Sequence, residues 1–269
     1  MLGGMIDKMM PWLGDRRQPP VAADRLLYAV GDVHGRSDLL MPLIDRVFRD
    51  ALVTGASEDV VPEVIFLGDM IDRGPDSRGV LEFLMMVAEW PEIEPIFLIG
   101  NHELMLLQFL DDPVKGRNWL RYGGYETLQS YGMGRLGDLA DTDNLRRLAE
   151  DLKGAMGPHL GFLSALRPWH VNGNLFLTHA GADPALPPDQ QSVDALVWGE
   201  SAFLRGRRKD GLWVVHGHTV VDTPSVRHGR IAIDTGAYLT GKLTVMKVRR
   251  TEISFLTEIG EPVPEETGD

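Results

Sequence analysis

The chain of 269 residues has no cysteine, which excludes disulfide frameworks, zinc–thiolate sites and thiol nucleophiles. Any metal must be held by His, Asp, Glu, Asn or backbone oxygen. No apolar run approaches the roughly 20 residues needed to cross a bilayer. Basic residues are also scarce: 27 Lys and Arg stand against 39 Asp and Glu, for a net charge of −12. That balance argues against a broad nucleic-acid surface, because phosphate backbones demand basic stripes. A phosphate-bearing substrate stays open, since two divalent cations in one site bring about four positive charges and reverse the local field. Asp7 and Lys8 interrupt what would be the apolar core of a signal peptide, so a cytoplasmic protein is expected. With 43% hydrophobic and 25% charged residues, the composition is that of a globular enzyme.

Residues 1–23 are rich in Met, Pro and Arg and read as a lead-in arm, and the acidic 260–269 as a flexible tail. Between them, 24–259 shows no linker and no repeat, and reads as one catalytic domain. Short apolar runs recur and end in polar residues: 26–30 at Gly31-Asp32, 64–67 at Gly68-Asp69, 96–99 at Gly100-Asn101. The run 175–178 ends at His179, and 213–215 leads into His216-Gly217-His218. Such runs predict buried strands. Helical spacing of Leu39, Leu40, Leu43, Ile44, Val47, Phe48, Ala51 and Leu52 predicts a first helix, with Ser37 as N-cap and Pro42 in its first turns. Residues 79–88 and 103–110 predict two more. The alternation implies an α/β fold with ligands at the carboxyl ends of strands. Hairpin-like runs at 231–233, 243–248 and 253–256 point to a mixed sheet or two sheets.

These strand ends form a set. Asp32, His34, Asp69, Asn101, His179 and His218 supply two carboxylates, one amide oxygen and three imidazoles. Singly, each is an ordinary cap, turn or loop residue. Together, five successive strand ends deliver ligand-type groups to one edge. Imidazole and carboxylate without thiolate suit divalent Mn, Fe or Zn. Six residues suffice for two ions if one carboxylate bridges, and ions about 3.5–4 Å apart clamp both oxygens of an in-line displacement.

The segments Gly31-Asp32-Val33-His34-Gly35, Gly68-Asp69-Met70-Ile71-Asp72-Arg73-Gly74 and Gly100-Asn101-His102-Glu103, followed by His179 and His218, resemble the signatures of calcineurin-like metallophosphoesterases. The Arg73 motif makes the chain similar to the bacterial phosphoprotein (serine/threonine) phosphatase type, from about residue 25 to 250. The stretch from Trp119 to Gly132 and the one from Ile233 to Thr244 resemble segments of the same group. The resemblance implies a four-layer α/β sandwich, two mixed β-sheets flanked by helices. It implies two divalent ions, manganese first, with iron or zinc as alternatives. Asp32, His34 and Asp69 would hold one; Asp69, Asn101, His179 and His218 the other, with Asp69 and a hydroxide bridging. His102 would protonate the leaving oxygen, Asp72 orient it, and Arg73 grip the phosphoryl group beside Asn101. His216 is taken as structural.

One position departs from that pattern. Glu200 stands where many relatives carry a second phosphate-binding arginine, two residues after the tryptophan that here is Trp198. Arg205 or Arg36 are the candidates to replace it. The expected activity is hydrolysis of phosphoserine or phosphothreonine in proteins. The alternative is a symmetrical bis(5′-nucleosyl)-tetraphosphatase acting on a phosphorylated small molecule; a phosphodiesterase and a non-catalytic binding protein stand behind it. Neither nucleic acid nor membrane is expected as a partner, and the oligomeric state is left open.

Overall fold

A strand whose two faces are both apolar must be covered on both sides. In the computed structural model, which describes residues 18–263, β1 (Leu27–Val30) sends Leu27 and Ala29 into one buried cluster and Tyr28 and Val30 into another. Helix α1 (Ser37–Glu58) follows, then β2 (Glu63–Phe66), α2 (Ser77–Val87), β3 (Glu94–Phe97) and α3 (Asn101–Asp111). In β2, Ile65 takes the face of Ala29 while Val64 and Phe66 take the face of Tyr28. The chain then leaves the sheet for a helical lobe. It comprises α4 (Pro113–Gly116), a 3₁₀ turn (Arg117–Tyr122), α5 (Gly124–Ser130), α6 (Thr142–Met156) and α7 (His159–Ser164). The lobe closes over α3 around Leu106, Phe109, Trp119 and Leu152.

The second half contains β4 (Trp169–Asn172), β5 (Leu175–Thr178), α8 (Val193–Trp198), α9 (Ser201–Arg205), β6 (Trp213–His216), β7 (Ser225–Arg227) and β8 (Arg230–Ala232). A short α10 (Ala237–Thr240) leads to the hairpin β9 (Lys242–Arg249) and β10 (Glu252–Ile259). The strand orders are β10-β9-β1-β2-β3 in one sheet and β4-β5-β6-β8-β7 in the other. The sheets meet through Leu27, Ala29 and Ile65 against Leu177, Trp213 and Val215. Helix α1 covers the outer face of the first sheet. Leu196 and Phe203, from α8 and α9, cover Phe176 and Val214 of the second. These are the expected four layers: two mixed sheets flanked by helices. No helix among the described residues is long and apolar enough to cross a membrane.

Strand direction places the site. β1, β2 and β3 are mutually parallel, as are β5, β6 and β8. The residues just past these ends meet across the two sheets: His218 N–H donates to Asp32 Oδ2 at 2.9 Å, and His179 Nδ1–H to Leu67 O at 3.0 Å.

Several local expectations change. Ser37 is the first residue of α1 rather than its cap, because its hydroxyl is drawn to Asp76 Oδ2 at 2.5 Å. Pro42 therefore lies in the second turn. Asp76 caps α2, accepting from Gly79 N at 2.9 Å, which moves that helix start back to Ser77. The run 231–233 contributes β8 to the second sheet, while the closing hairpin belongs to the first. Strands β4 and β7 have no counterpart in the sequence reading. Of the lead-in arm, residues 1–17 lie outside the described residues. Val21 is buried between the sheets, and Pro19 O accepts from the Trp213 indole at 2.9 Å. Of the acidic tail, residues 264–269 lie outside the described residues. Gly260 and Val263 donate to Gly241 O and Tyr238 O.

β4 is polar because it serves a buried carboxylate. Glu63 accepts from His170 at 2.9 Å, Asn172 Nδ2 at 2.8 Å and Arg25 Nη1 at 3.0 Å, tying the two sheets and the start of β1. Burial pushes the Glu63 carboxyl up, but the His170 and Asn172 hydrogen bonds and the Arg25 charge prevail and hold it below the ordinary 4.5. The carboxylate thus contributes stability above pH 4.5 and loses it as pH falls through the depressed folded value. Glu63→Ala is expected to cost about 2 kcal/mol at pH 7, by leaving buried donors unmatched. Urea midpoints at pH 7 and pH 4 check this. The gap between wild type and variant should narrow in acid.

Candidate active site

The structure brings all six predicted ligand residues to the edge where the parallel strands end. Asp69, after β2, sits at the centre. Its Oδ2 lies 3.3 Å from His179 Nε2, 3.5 Å from His34 Nε2 and 3.9 Å from His102 Nε2. Two overlapping groups of potential ligand atoms result, His34–Asp69–His102 and Asp69–His179–His218, each within 4.8 Å. Asn101 Oδ1 joins the second, 3.0 Å from His179 Nε2 and 2.9 Å from His218 Nδ1. Asp32 lies outside both triples but is linked to the second through the His218 amide. His216 is also outside them. Its Nδ1 points to Gly217 O, its ring meets the Phe203 ring edge-on, and burial pushes its pKa down to about 4.

Four observations fit divalent cations to this donor set. Backbone carbonyls hold Nδ1–H of His34 (Ile71 O, 2.9 Å) and of His179 (Leu67 O, 3.0 Å), which turns both Nε2 atoms toward Asp69 Oδ2 as candidate ligand atoms. Asp32 Oδ1 is buried without a hydrogen-bond partner, an acceptor that calls for a cation. Glycine is required at position 217, where any Cβ would run into that same oxygen. The charge pattern agrees. Burial and the neighbouring Asp234 push Asp32 well above the carboxylate range. Burial opposes a charge on His179, yet the Asp69 and Asp32 carboxylates overcome it and push the ring up to about 10. The cluster draws positive charge inward. Burial wins at His34, pushed down to about 3 with help from His102 and Arg73, and at His218, pushed down to about 4 with help from His179.

Beside the cluster, His102 Nδ1–H donates to Asp72 Oδ2 at 2.7 Å. Asp72 is fully buried and also accepts from Trp119 Nε1 at 2.8 Å and Thr127 Oγ1 at 2.6 Å. Burial pushes Asp72 up, with these donors pulling back. Burial pulls His102 down, but Asp69 and Asp72 prevail and raise it. Arg73 Nη1 donates to Tyr238 OH at 2.9 Å, and its guanidinium lies 4.7 Å over that ring.

Of the eight non-glycine residues with positive φ among the described residues, five are here: His34, Asp69, Asp72, Arg73 and His218. Such backbone persists only where surroundings over-determine it, and each of these amides is held. Asp69 N–H donates to Glu103 Oε2 at 2.9 Å, Asp72 N–H to Ser77 Oγ at 2.9 Å, and Arg73 N–H to Gly123 O at 3.2 Å. His34 N–H donates to Asp69 O at 2.9 Å.

Two buried carboxylates went without a role in the sequence reading. Glu103 accepts from the amides of Asp69, Met70, Ile71 and Gly100, welding the β2 loop to the start of α3. Burial and Asp69 push it up to about 7. Its sequence signals were its place at the end of the Gly100-Asn101-His102-Glu103 segment and the capping-box spacing from Gly100. Asp234, past the end of β8, is buried and pushed up to about 6, mainly by burial. It is a sixth strand-end group.

The two helper arginines are not brought to the cluster. Arg36 is buried with its guanidinium paired to both Asp38 oxygens, at 2.8 and 2.6 Å, and to Ala237 O at 2.8 Å. It is a strut between the first loop and α10. Arg205 is exposed and folds back on Ser201 of its own helix at 2.8 Å. Glu200 caps that helix.

A family model described as calcineurin-like phosphoesterase matches residues 26–222. Over 181 residues, 67% of this chain, the sequence is 30% identical to a symmetrical bis(5′-nucleosyl)-tetraphosphatase of Nitrosospira multiformis; the match spans about half of that relative, 51%. It is 27% identical over 233 residues to the asymmetrical bis(5′-nucleosyl)-tetraphosphatase PrpE of Bacillus subtilis, covering 80% of this chain and 87% of the relative. A crystal structure described as that of "a putative diadenosine tetraphosphatase" shares the fold with a TM-score of 0.55 at 19% identity, over 88% of this chain and 95% of the other. With the family model covering most of the chain and the ligand set assembled at its strand ends, the protein belongs to the calcineurin-like phosphoesterases.

Proposed function

We propose that this chain is a divalent-cation-dependent hydrolase that cleaves the phosphoanhydride chain of a bis(5′-nucleosyl) tetraphosphate. The observation that carries the substrate is the match along four fifths of the chain to a relative named as such a tetraphosphatase. The site geometry would serve a phosphomonoester equally well. The relatives therefore favour the alternative weighed from the sequence over a phosphoserine or phosphothreonine substrate.

In this reading Asp32, His34 and Asp69 hold one cation, and Asp69, Asn101, His179 and His218 the other. Manganese is the first candidate for both. When bound, the pair supplies Lewis-acid activation of water and neutralises phosphoryl charge. The chain's own groups do the rest. Arg73, set by Tyr238, offers a planar fork to the phosphoryl oxygens. His102 holds a proton on Nε2 for the leaving phosphate oxygen, and Asp72 fixes the ring through Nδ1.

The test is manganese-dependent turnover of diadenosine tetraphosphate beside a phosphothreonine peptide at equal concentration. We expect faster cleavage of the dinucleotide and loss of both activities on chelation. Paired ADP marks symmetrical cleavage, and ATP with AMP marks asymmetrical. Faster turnover of the peptide would overturn the proposal.

A further inference from the structure

Among the described residues, three aromatic side chains are more than a third exposed: Tyr122 at 56%, Trp198 at 46% and Phe255 at 38%. Phe255 lies on β10, at the edge of the first sheet. The other two lie on segments tethered to different parts of the cluster. Tyr122 ends the 3₁₀ turn whose Trp119 donates to Asp72. The next residue, Gly123, accepts from Arg73 N–H at 3.2 Å, and a Cβ there would meet Arg73 N at 2.6 Å. Tyr122 is thus fixed beside His102, Asp72 and Arg73. Trp198 ends α8, whose Leu196 O accepts at 2.7 Å from the amide of Ala180, the residue after His179. It is fixed on the side of the second ligand group.

A single exposed ring is ordinary on a protein surface; what singles these two out is that each is one backbone contact away from the cluster. At a net charge of −12, the long-range field repels a polyphosphate instead of steering it in. Glu200, two residues beyond Trp198, adds no compensating cation. Arg73 and the cations would serve the phosphates only; the two ends of the substrate need contacts of another kind, and every nucleobase has a face that stacks on an aromatic ring. A bis(5′-nucleosyl) tetraphosphate carries one base at each end of its phosphates, and one exposed ring stands on the segment tied to Arg73 and Asp72 while the other stands on the segment tied to the residue after His179.

We propose that Tyr122 and Trp198 are two nucleobase-stacking platforms, one for each end of the bound substrate. This rests on the tetraphosphatase reading above. The test uses Tyr122→Ala and Trp198→Ala, with Tyr122→Phe and Trp198→Phe as conservative partners and Phe255→Ala as a control. For each, KM for diadenosine tetraphosphate is measured beside the inhibition constant of inorganic tetraphosphate, which has the phosphates and no bases. The ratio of KM to that constant should rise about tenfold in each alanine variant. It should return toward wild type in the phenylalanine variants and stay put in Phe255→Ala. An unchanged ratio in either alanine variant, or equal weakening toward both ligands, overturns the two-platform assignment. If the wild type cleaves the dinucleotide but the ratios do not move, only this inference falls. If the wild type does not cleave it, both readings fall together.

Discussion

Asp69→Asn is expected to lose about a thousandfold or more of wild-type turnover while still unfolding in one cooperative transition. The fold should survive because every backbone constraint on the residue survives. Asparagine tolerates the left-handed conformation at φ 50°. The amide can still donate to Glu103, and an amide oxygen can still accept from His102 N–H, as Asp69 Oδ1 does at 3.1 Å. What disappears is the negative charge among three imidazoles. Asp69 also pushes up the carboxyls of Asp32, Glu103 and Asp234, so the repulsion relieved by neutralising it offsets part of the attraction lost to His179, His102 and His34, which hold the Asp69 carboxyl well below its ordinary range. Metal content per chain should therefore fall while the melting temperature of the chelated protein moves by only a few degrees. Elemental analysis, calorimetry and turnover numbers on one preparation decide it. Turnover within tenfold of wild type would sink the assignment of Asp69 as the shared ligand.

The central place of Asp69 was legible because parallel topology turns sequence periodicity into spatial coincidence. Runs of four or five apolar residues, each followed by Gly and then a polar group, could come together only if the strands ran parallel and ended at one edge. The layers were legible for a related reason: a run apolar at every position, such as Leu27 to Val30, needs cover on both faces. What the sequence concealed depended on partners far away in the chain. β4 reads as polar because its His170 and Asn172 satisfy Glu63, more than a hundred residues earlier. Glu103 looks like an ordinary capping residue, yet three of its four amide donors come from the β2 loop. Arg36 gave a false signal in the other direction. Its place after the first motif put it near phosphate in one dimension, but its guanidinium reaches Ala237, 201 residues on. Ser37 failed as a cap for the same reason: Asp76 competes for its hydroxyl.

His102→Asn should lower turnover about a thousandfold, and the size of the loss should depend on the leaving group. The ring is 1% exposed, and Asp72 keeps the Trp119 and Thr127 donors when it is removed. The variant therefore leaves no buried carboxylate without partners, and the fold should hold. A proton donor matters in proportion to the basicity of the departing oxygen, so the deficit should be markedly larger on phenyl phosphate than on p-nitrophenyl phosphate, whose phenolate, like the phosphate leaving an anhydride, is only weakly basic. A purely structural role for His102 predicts the same deficit on every substrate, and that result would remove it from the chemistry. Asp72→Asn separates positioning from proton transfer. Asparagine can turn its amide oxygen to the His102 and Trp119 donors and its NH₂ to Thr127 Oγ1, but it removes one of the two carboxylates that raise the imidazole, so the ring sits neutral, a far weaker acid. A loss of about a hundredfold or more follows, with the same dependence on leaving group. The two variants together thus read one proton: the first removes its carrier, and the second removes the charge that keeps the proton on that carrier.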